Sequence, residues 1–244
     1  MQAISQNRRH TRRKHPQRKQ KPLFFLTPLL LFSAFFGVPE KSAAQIRPET
    51  EAKTVSATVW VYTEQTPGNT AYVPEEELQR LARFVLSGMV FGWRFDYTPA
   101  DSTRRVSEYF SLVPIAEIPA GSARLSLSCT ETSGPRQYCR AEYIPDAAAA
   151  NGSAFWNSVL FRSCKGRGSG ERIAETGGIF QAYENAVKNA VHEYARAQEK
   201  NKPKEIRGEI KFKQEPRLFT DSGRFVVDAE FLIHIRETVP YTVF

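Results

Sequence analysis

Apolar and polar residues alternate in several short stretches of the chain, and in two longer stretches the apolar residues recur at intervals of three and four. Residues 55–63 have a period of two, which is typical of a strand. Pro74 begins a helix, because the acidic residues that follow it suit the positive end of the helix dipole. The buried stripe predicted for this helix is Leu78, Leu81, Ala82, Val85 and Met89.

The period returns to two in residues 90–97, which predicts a strand with an unusual aromatic face. A row of aromatic rings either packs in the core or offers a stacking surface, because flat rings bury a large area at little entropic cost. Both interpretations stay open at this point. The candidate binding face consists of Phe91, Trp93, Phe95 and Tyr97.

The middle of the chain predicts a strand at 106–113 and then a hairpin around Gly134. A turn centred on Gly134 pairs Leu125 with Tyr143, Leu127 with Ala141 and Cys129 with Cys139. We expect a loop or one helical turn at 146–153, a return to the sheet at 154–163, and a glycine-rich connector at 166–170. A second long helix follows, and its stripe is Phe180, Tyr183, Val187, Ala190, Val191 and Tyr194.

The last part of the chain predicts a long hairpin that turns at Asp221-Ser222-Gly223. Its second strand has one apolar face. Pairing Phe219 with Phe225 leaves one extra residue to be absorbed near Pro216, which predicts a bulge there. The residues of the apolar face are Phe225, Val227, Ala229, Phe231, Ile233 and Ile235.

Together these elements predict an α+β fold, in which two amphipathic helices pack on a mostly antiparallel sheet of about six to eight strands. Residues 45–244 contain no evident linker and are expected to form a single domain. The alternative is a pair of small lobes that divide near residues 145–153.

The net charge of +8 is confined to the first 44 residues. Nine of the 34 basic residues and one of the 26 acidic residues lie there, so the rest of the chain holds 25 of each sign and is neutral. A protein that binds phosphate backbones needs an excess of basic residues, so we expect no nucleic-acid partner.

Residues 1–44 have the pattern of a signal peptide, with a basic stretch, an apolar run at 22–38 and small residues at Ser42 and Ala44. We expect cleavage after Ala44 and export of residues 45–244 to the periplasm or the outer envelope surface. The apolar run is shorter than the ~20 residues that a spanning helix needs, and Pro28 interrupts it. If the segment is retained, it would act as a signal anchor in the inner membrane.

Export changes the interpretation of the three cysteines. Disulfides persist outside the cytoplasm, and cross-strand neighbours in a hairpin come close enough to bridge, so we predict a disulfide between Cys129 and Cys139. Cys164 is then unpaired. It is expected in a loop, as a free thiol, an intermolecular link or, with a lowered pKa, a redox group.

Few residues outside residues 1–44 could carry out chemistry. Only two histidines remain there, His192 and His234, and the residues needed for a zinc site are missing, so we expect neither a metal nor another cofactor. Asp228, Glu230 and His234 share one strand face and are the candidates for hydrolysis. The glycine-rich connector resembles a phosphate cradle but lacks the spacing of one.

These observations favour a non-enzymatic bacterial envelope protein that binds a partner protein or an envelope glycan, with self-association possible because the domain is neutral. The alternative is a secreted hydrolase of glycans or esters that uses Asp228, Glu230 or His234. No residue is assigned a catalytic role.

Overall fold

Strands dominate the part of the chain that the structure, a computed structural model, describes. The described residues are 53–64, 72–130, 134–158, 160–172, 175–198 and 201–241, and they belong to one compact unit, Arg47–Phe244. The predicted signal peptide lies outside these residues. The elements in chain order are β1 (Val55–Tyr62), α1 (Pro74–Val90), β2 (Trp93–Thr98), β3 (Tyr109–Pro114), β4 (Leu125–Cys129), β5 (Arg136–Tyr143), α2 (Ala147–Trp156), β6 (Arg162–Glu171), α3 (Glu175–Gln198), β7 (Glu205–Phe212), β8 (Arg217–Asp221) and β9 (Arg224–Val239).

The strands form two sheets in which all neighbours are antiparallel. Sheet 1 has the order β1-β5-β4, and sheet 2 has the order β3-β2-β7-β9-β6 with β8 beside β9. The predicted α+β class, with two long helices and a long C-terminal strand run, is confirmed. The prediction of one sheet is wrong. β1 pairs with β5 of the cysteine hairpin in sheet 1, whereas β2 pairs with β7 in sheet 2.

Helix α1 contacts strands of both sheets, whereas α3 packs on β6 and β9 of sheet 2. The predicted stripe of α1 is buried except at Met89, which is half-buried. The helix begins with Pro74 in its first turn and ends at Val90, after which Gly92 has a φ of 76°. This left-handed residue turns the chain directly from α1 into β2.

The segment predicted as a glycine-rich connector is part of strand β6. Gly166, Gly168 and Gly170 alternate along it, and a Cβ atom on any of them would overlap the backbone of α3. The facing positions on α3 are also small: Gly178, Ala182, Ala186 and Ala190 recur every four residues. Helix and strand therefore approach each other more closely than residues with larger side chains allow.

A row of amide side chains on α3 bonds to the free edge of β6. Asn185 Nδ2 donates to the carbonyl of Ser169 at 2.8 Å, and Asn189 Nδ2 donates to the carbonyl of Arg167 at 2.8 Å. One turn earlier, Gln181 Oε1 accepts from the backbone N–H of Glu171 at 3.3 Å. This amide ladder satisfies backbone groups that an outer strand otherwise presents to solvent.

The two hairpins differ in how well their registers follow the prediction. The pairs Leu125–Tyr143, Leu127–Ala141 and Cys129–Cys139 occur as predicted. In the C-terminal hairpin Phe219 pairs with Val226, so the predicted Phe219–Phe225 pair is wrong.

The irregularity expected near Pro216 is larger than one residue. Residues 213–216 separate β7 from β8, whereas only residues 229 and 230 separate their partners on β9. A distinct register shift lies between Arg207 and Gly208. The register therefore changes twice, once within β7 and once between β7 and β8. At the second place Pro216 cannot donate a ladder hydrogen bond.

The region after β5 also differs from the prediction. Residues 147–156 form the helix α2, so residues 154–156 do not return to the sheet, and β6 starts at Arg162. The strand expected at 106–113 begins at Tyr109. The ring centroid of Trp156, at the end of α2, lies 5.5 Å from Lys211 Nζ, so this end of α2 lies on the side of sheet 2 to which Lys211 points, opposite α3. We call this side the outer face.

Candidate functional site

The aromatic row of β2 is divided between the core and a helix end. Trp93, Phe95 and Tyr97 are 2%, 2% and 1% exposed, and Phe91 caps α1 outside the strand. The rings of Phe84 and Phe212 contact Trp93. The interpretation of Phe91, Trp93, Phe95 and Tyr97 as a binding face is therefore corrected, because α1 and α3 cover the face that a ligand would stack on.

Two residues of this row nevertheless border cavities at the ends of β2. Trp93 borders a cavity of about 220 Å³ together with Phe84, Phe180 and Arg83. Tyr97 borders a second cavity of about 350 Å³, next to the last turns of α3 and the start of β7. We call the second one the Tyr97 cavity.

A chain of polar groups, Glu108 and then Lys188, holds the hydroxyl of Tyr97. The Tyr97 hydroxyl donates to Glu108 Oε1 at 3.0 Å, and Lys188 Nζ donates to Glu108 Oε2 at 3.0 Å. The hydrogen bond from Lys188 lowers the pKa of Glu108, and burial raises the pKa of Tyr97 above its usual value. At neutral pH the phenol is therefore protonated and uncharged.

The cysteine pair lies where the hairpin register predicts it. Cys129 and Cys139 face each other across β4 and β5 with a Cα–Cα distance of 3.9 Å, and their Sγ atoms are at bonding distance. The pair is thus capable of forming a disulfide. Cys139 also packs in the core, whereas Cys129 is exposed.

Cys164 lies in strand β6 rather than in a loop, and its side chain is partly buried. Burial and then the nearby charge of Glu230 raise the pKa of its thiol to about 12. A redox or nucleophilic thiol requires the opposite shift, so the geometry does not favour such a role.

Two of the three hydrolytic candidates, Asp228 and Glu230, share a groove, and each has a basic partner there. Glu230 binds Lys213 Nζ at 2.8 Å and Ser163 Oγ at 2.6 Å, and Lys213 lowers the pKa of its carboxyl group. Asp228 lies 3.7 Å from Arg167 in the same shallow groove, which has a volume of about 510 Å³.

His234 is not directed at that groove, because its ring packs against Phe161 at 5.5 Å. A general acid needs a raised pKa, and Glu230 has a lowered one. The arrangement therefore resembles a cross-strand ion-pair network more than a hydrolytic centre.

Sequence patterns missed two buried charged residues on β7. Glu209 and Lys211 point to the outer face of sheet 2 and are 3% and 9% exposed. Glu209 Oε1 pairs with Arg236 at 2.5 Å, but its Oε2 is buried without a hydrogen-bond partner. Desolvation lowers the pKa of Lys211 to about 8. Period two alone places both residues in solvent. Trp156 of α2 packs on Lys211, and Arg236 of β9 pairs with Glu209.

Beside α2 the outer face carries exposed apolar side chains. Tyr109 and Val113 of β3 are 58% and 53% exposed, and Phe155 and Leu160 are 45% and 55% exposed. Trp156 adjoins Gly92, whose carbonyl accepts from Ile115 N–H at 3.0 Å, so the end of α2 meets the end of β3. We call Tyr109, Val113, Phe155 and Leu160 the outer patch.

The described residues contain neither a candidate membrane span nor a candidate metal cluster. No helix in these parts of the chain combines the length and hydropathy needed to cross a bilayer. The same residues contain no cluster of three or more His, Cys, Asp or Glu side chains suited to a metal ion.

The chain is an α+β protein with antiparallel sheets. Its residues 42–241 match a protein-family model. The chain belongs to that family. An uncharacterized protein of Treponema pallidum (strain Nichols) is 37% identical over 198 residues, which cover 78% of this chain and 83% of that relative. No solved structure is significantly similar to the chain.

Proposed function

We propose that the chain is an exported, non-enzymatic domain of the bacterial envelope that binds a partner protein through the outer patch. The observation that carries this proposal is the concentration of exposed apolar side chains on one side of sheet 2. Six large apolar side chains are exposed among the described residues, and four of them form the outer patch. Apolar surface of this kind is typical of protein interaction sites.

The outer patch also includes a strand edge. β3 is the last strand of sheet 2 and pairs only with β2 among the described strands. An extended segment of a partner can add to such an edge through backbone hydrogen bonds, while apolar pockets select its side chains. Tyr109 and Val113 lie on this strand, Phe155 lies in the last turn of α2, and Leu160 lies between α2 and β6.

The cysteine pair and the leader support the exported location. Cys129 and Cys139 are placed to form a disulfide, which is stable in an oxidising compartment. Residues 1–44 have the composition of a signal peptide that ends at Ala44. We propose that the mature chain begins at Gln45 and is oxidised at this pair after export.

Photo-crosslinking in living cells tests the partner. A photoreactive amino acid at Phe155 should give a discrete adduct with one envelope protein, and Leu160→Ser should abolish that adduct. The same photoreactive residue at Val73, which is 40% exposed at the start of α1, is the matched control and should give no such band. Equal adducts at both positions, or none at Phe155, would contradict the proposed surface.

Fractionation of the same cells tests the location separately. We expect the chain in the envelope fraction, with Gln45 as its first residue and with Cys129 and Cys139 protected from alkylation. An intact 244-residue chain in the cytosol with all three thiols reactive would overturn the export proposal.

A further inference from the structure

The Tyr97 cavity has an apolar wall beside several basic side chains. Tyr97, Ala195 and Ile206 line it and are nearly fully buried, and Pro99 and Pro203 add further apolar surface. Its volume of about 350 Å³ lies within the range of ~300–1,000 Å³ that is usual for small-molecule sites. The space is large enough for a small organic molecule and too narrow for a folded partner.

The floor of this cavity is electrically neutral. Tyr97 directs its hydroxyl to Glu108, and burial raises its pKa, so the ring contributes an uncharged aromatic surface. Glu108 is in turn neutralised by Lys188 at 3.0 Å. The apolar part of a ligand can therefore contact the floor without meeting an unpaired charge.

The ionisable lining residues other than Tyr97 are all of the basic type. His192, Arg196 and Lys202 surround the opening, and no Asp or Glu is among the residues that line the cavity. Arg196 contacts Glu193 at 3.4 Å on the solvent side, and His192 lies 3.5 Å from the same carboxylate. Lys202 donates to the backbone carbonyl of Ala100 and lies near the carboxylate of Asp101, which is itself paired with Arg104 at 2.8 Å.

We propose that the Tyr97 cavity binds a small organic anion with an apolar body, with a carboxylate facing Arg196 and Lys202 and a hydrocarbon portion against Tyr97 and Ile206. The charge complementarity of the opening selects the anionic head, and the buried walls select the apolar body. The site is separate from the outer patch and does not depend on the partner proposed above.

Calorimetric titration of the purified full-length protein with octanoate tests the site. We expect saturable binding of octanoate, and affinities for octanol and octylammonium that are weaker by at least about tenfold, because each lacks a negative charge for the basic opening. Octylammonium binding as tight as octanoate binding would overturn the charge argument. The absence of saturable octanoate binding would overturn the proposal itself.

Three variants locate the binding. The double substitution Arg196→Gln and Lys202→Gln should weaken octanoate about tenfold, since it removes both charge-assisted contacts. Lys204→Gln, an exposed lysine two residues away that does not line the cavity, is the matched control and should leave the affinity unchanged. Thermal unfolding checks that all variants are folded. An equal loss in the Lys204 variant would show that octanoate responds only to the general surface charge.

Ala195→Phe tests the cavity volume independently of charge. A ring at this buried position should fill the space beside Ile206 and abolish octanoate binding, whereas photo-crosslinking at Phe155 should persist in the folded variant. Undiminished octanoate binding by Ala195→Phe would place the ligand elsewhere. Failure of the crosslinking alone leaves this site intact, so the two proposals are tested separately.

Discussion

Asn185 Nδ2 donates to the carbonyl of Ser169 at 2.8 Å, and Asn189 repeats the same contact one helical turn later with Arg167. The glycines of β6 make these bonds possible, because they bring the α3 backbone against the strand. Polar side chains in the middle of a long helix thus have a structural purpose.

Replacing both asparagines with leucine should destabilise the protein by about 2–3 kcal/mol, because two backbone carbonyls lose their partners. The free energy of unfolding in urea measures this loss. Glu184→Leu, an exposed position on the same helix, is the control and should change the stability by less than ~0.5 kcal/mol. An equal effect of the two changes would mean that the ladder contributes nothing specific.

Gly168→Ala should destabilise the protein by about 1–3 kcal/mol or more, since its Cβ would overlap the backbone of Ala182 and Ala186. Gly177→Ala is the matched control. It lies in α3 with open space around its Cβ position, and alanine should stabilise the helix by about 0.5–1 kcal/mol. Opposite signs in urea denaturation are expected, and a tolerated Gly168→Ala would contradict the close approach of α3 and β6.

Lys211→Met should stabilise the protein at pH 7. Lys211 has a pKa of about 8 in the fold against 10.5 in the unfolded chain, so burying its charge costs about 3 kcal/mol below pH 8. That cost declines as the pH rises through the interval between these two values, where the unfolded chain binds more protons than the folded one.

The wild-type protein should therefore gain stability from pH 8 to pH 10 relative to Lys211→Met, as measured by urea unfolding at each pH. Lys213→Met is the control, because Lys213 is paired with Glu230 at 2.8 Å and is partly exposed. Parallel pH profiles for wild type and Lys211→Met would show that this lysine is not desolvated.

Reduction of the Cys129–Cys139 pair should lower the free energy of unfolding by about 2–3 kcal/mol, the loop-closure contribution for a sequence separation of 10. Dithiothreitol during urea unfolding measures this effect. The double substitution Cys129→Ala and Cys139→Ala should remove the sensitivity to the reductant, and Cys164→Ser should retain it. If the effect of the reductant disappears in Cys164→Ser, a bond formed by Cys164, and not the Cys129–Cys139 pair, stabilises the protein.

Local patterns predicted the elements whose partners are close in sequence. The hairpin around Gly134 has the predicted register, because a short turn fixes which residues face each other. The two long helices follow from their apolar stripes. The separation of β1 into sheet 1 depends on its pairing with β5, and nothing within residues 55–63 indicates that partner.

Strand β6 shows what a sequence interpretation overlooks. Glycine usually indicates a turn, so Gly166 to Gly170 predict a connector. Their spacing of two, together with Gly178, Ala182, Ala186 and Ala190 at a spacing of four, is the signal of a strand packed tightly on a helix. The sequence predicts this close packing only when the two-residue period of the glycines and the four-residue period of the small helix residues are considered together.

The candidate site was less predictable than the fold. Tyr97 was singled out as part of an aromatic row, but its place beside a cavity depends on Pro203 and Ile206, more than 100 residues later. Burial of Lys211 involves Trp156 of α2, and the alanine-rich sequence after Asp146 predicted only a loop or one helical turn there. Both features arise from contacts between distant segments.

The amide ladder has a consequence for how molecules of this protein can assemble. With α3 bonded along β6, sheet 2 accepts an added strand at β3 but not at its opposite end. Two copies joined β3 to β3 would therefore carry a covered β6 at each end of the main strand order of sheet 2, so that order could not be extended through β6.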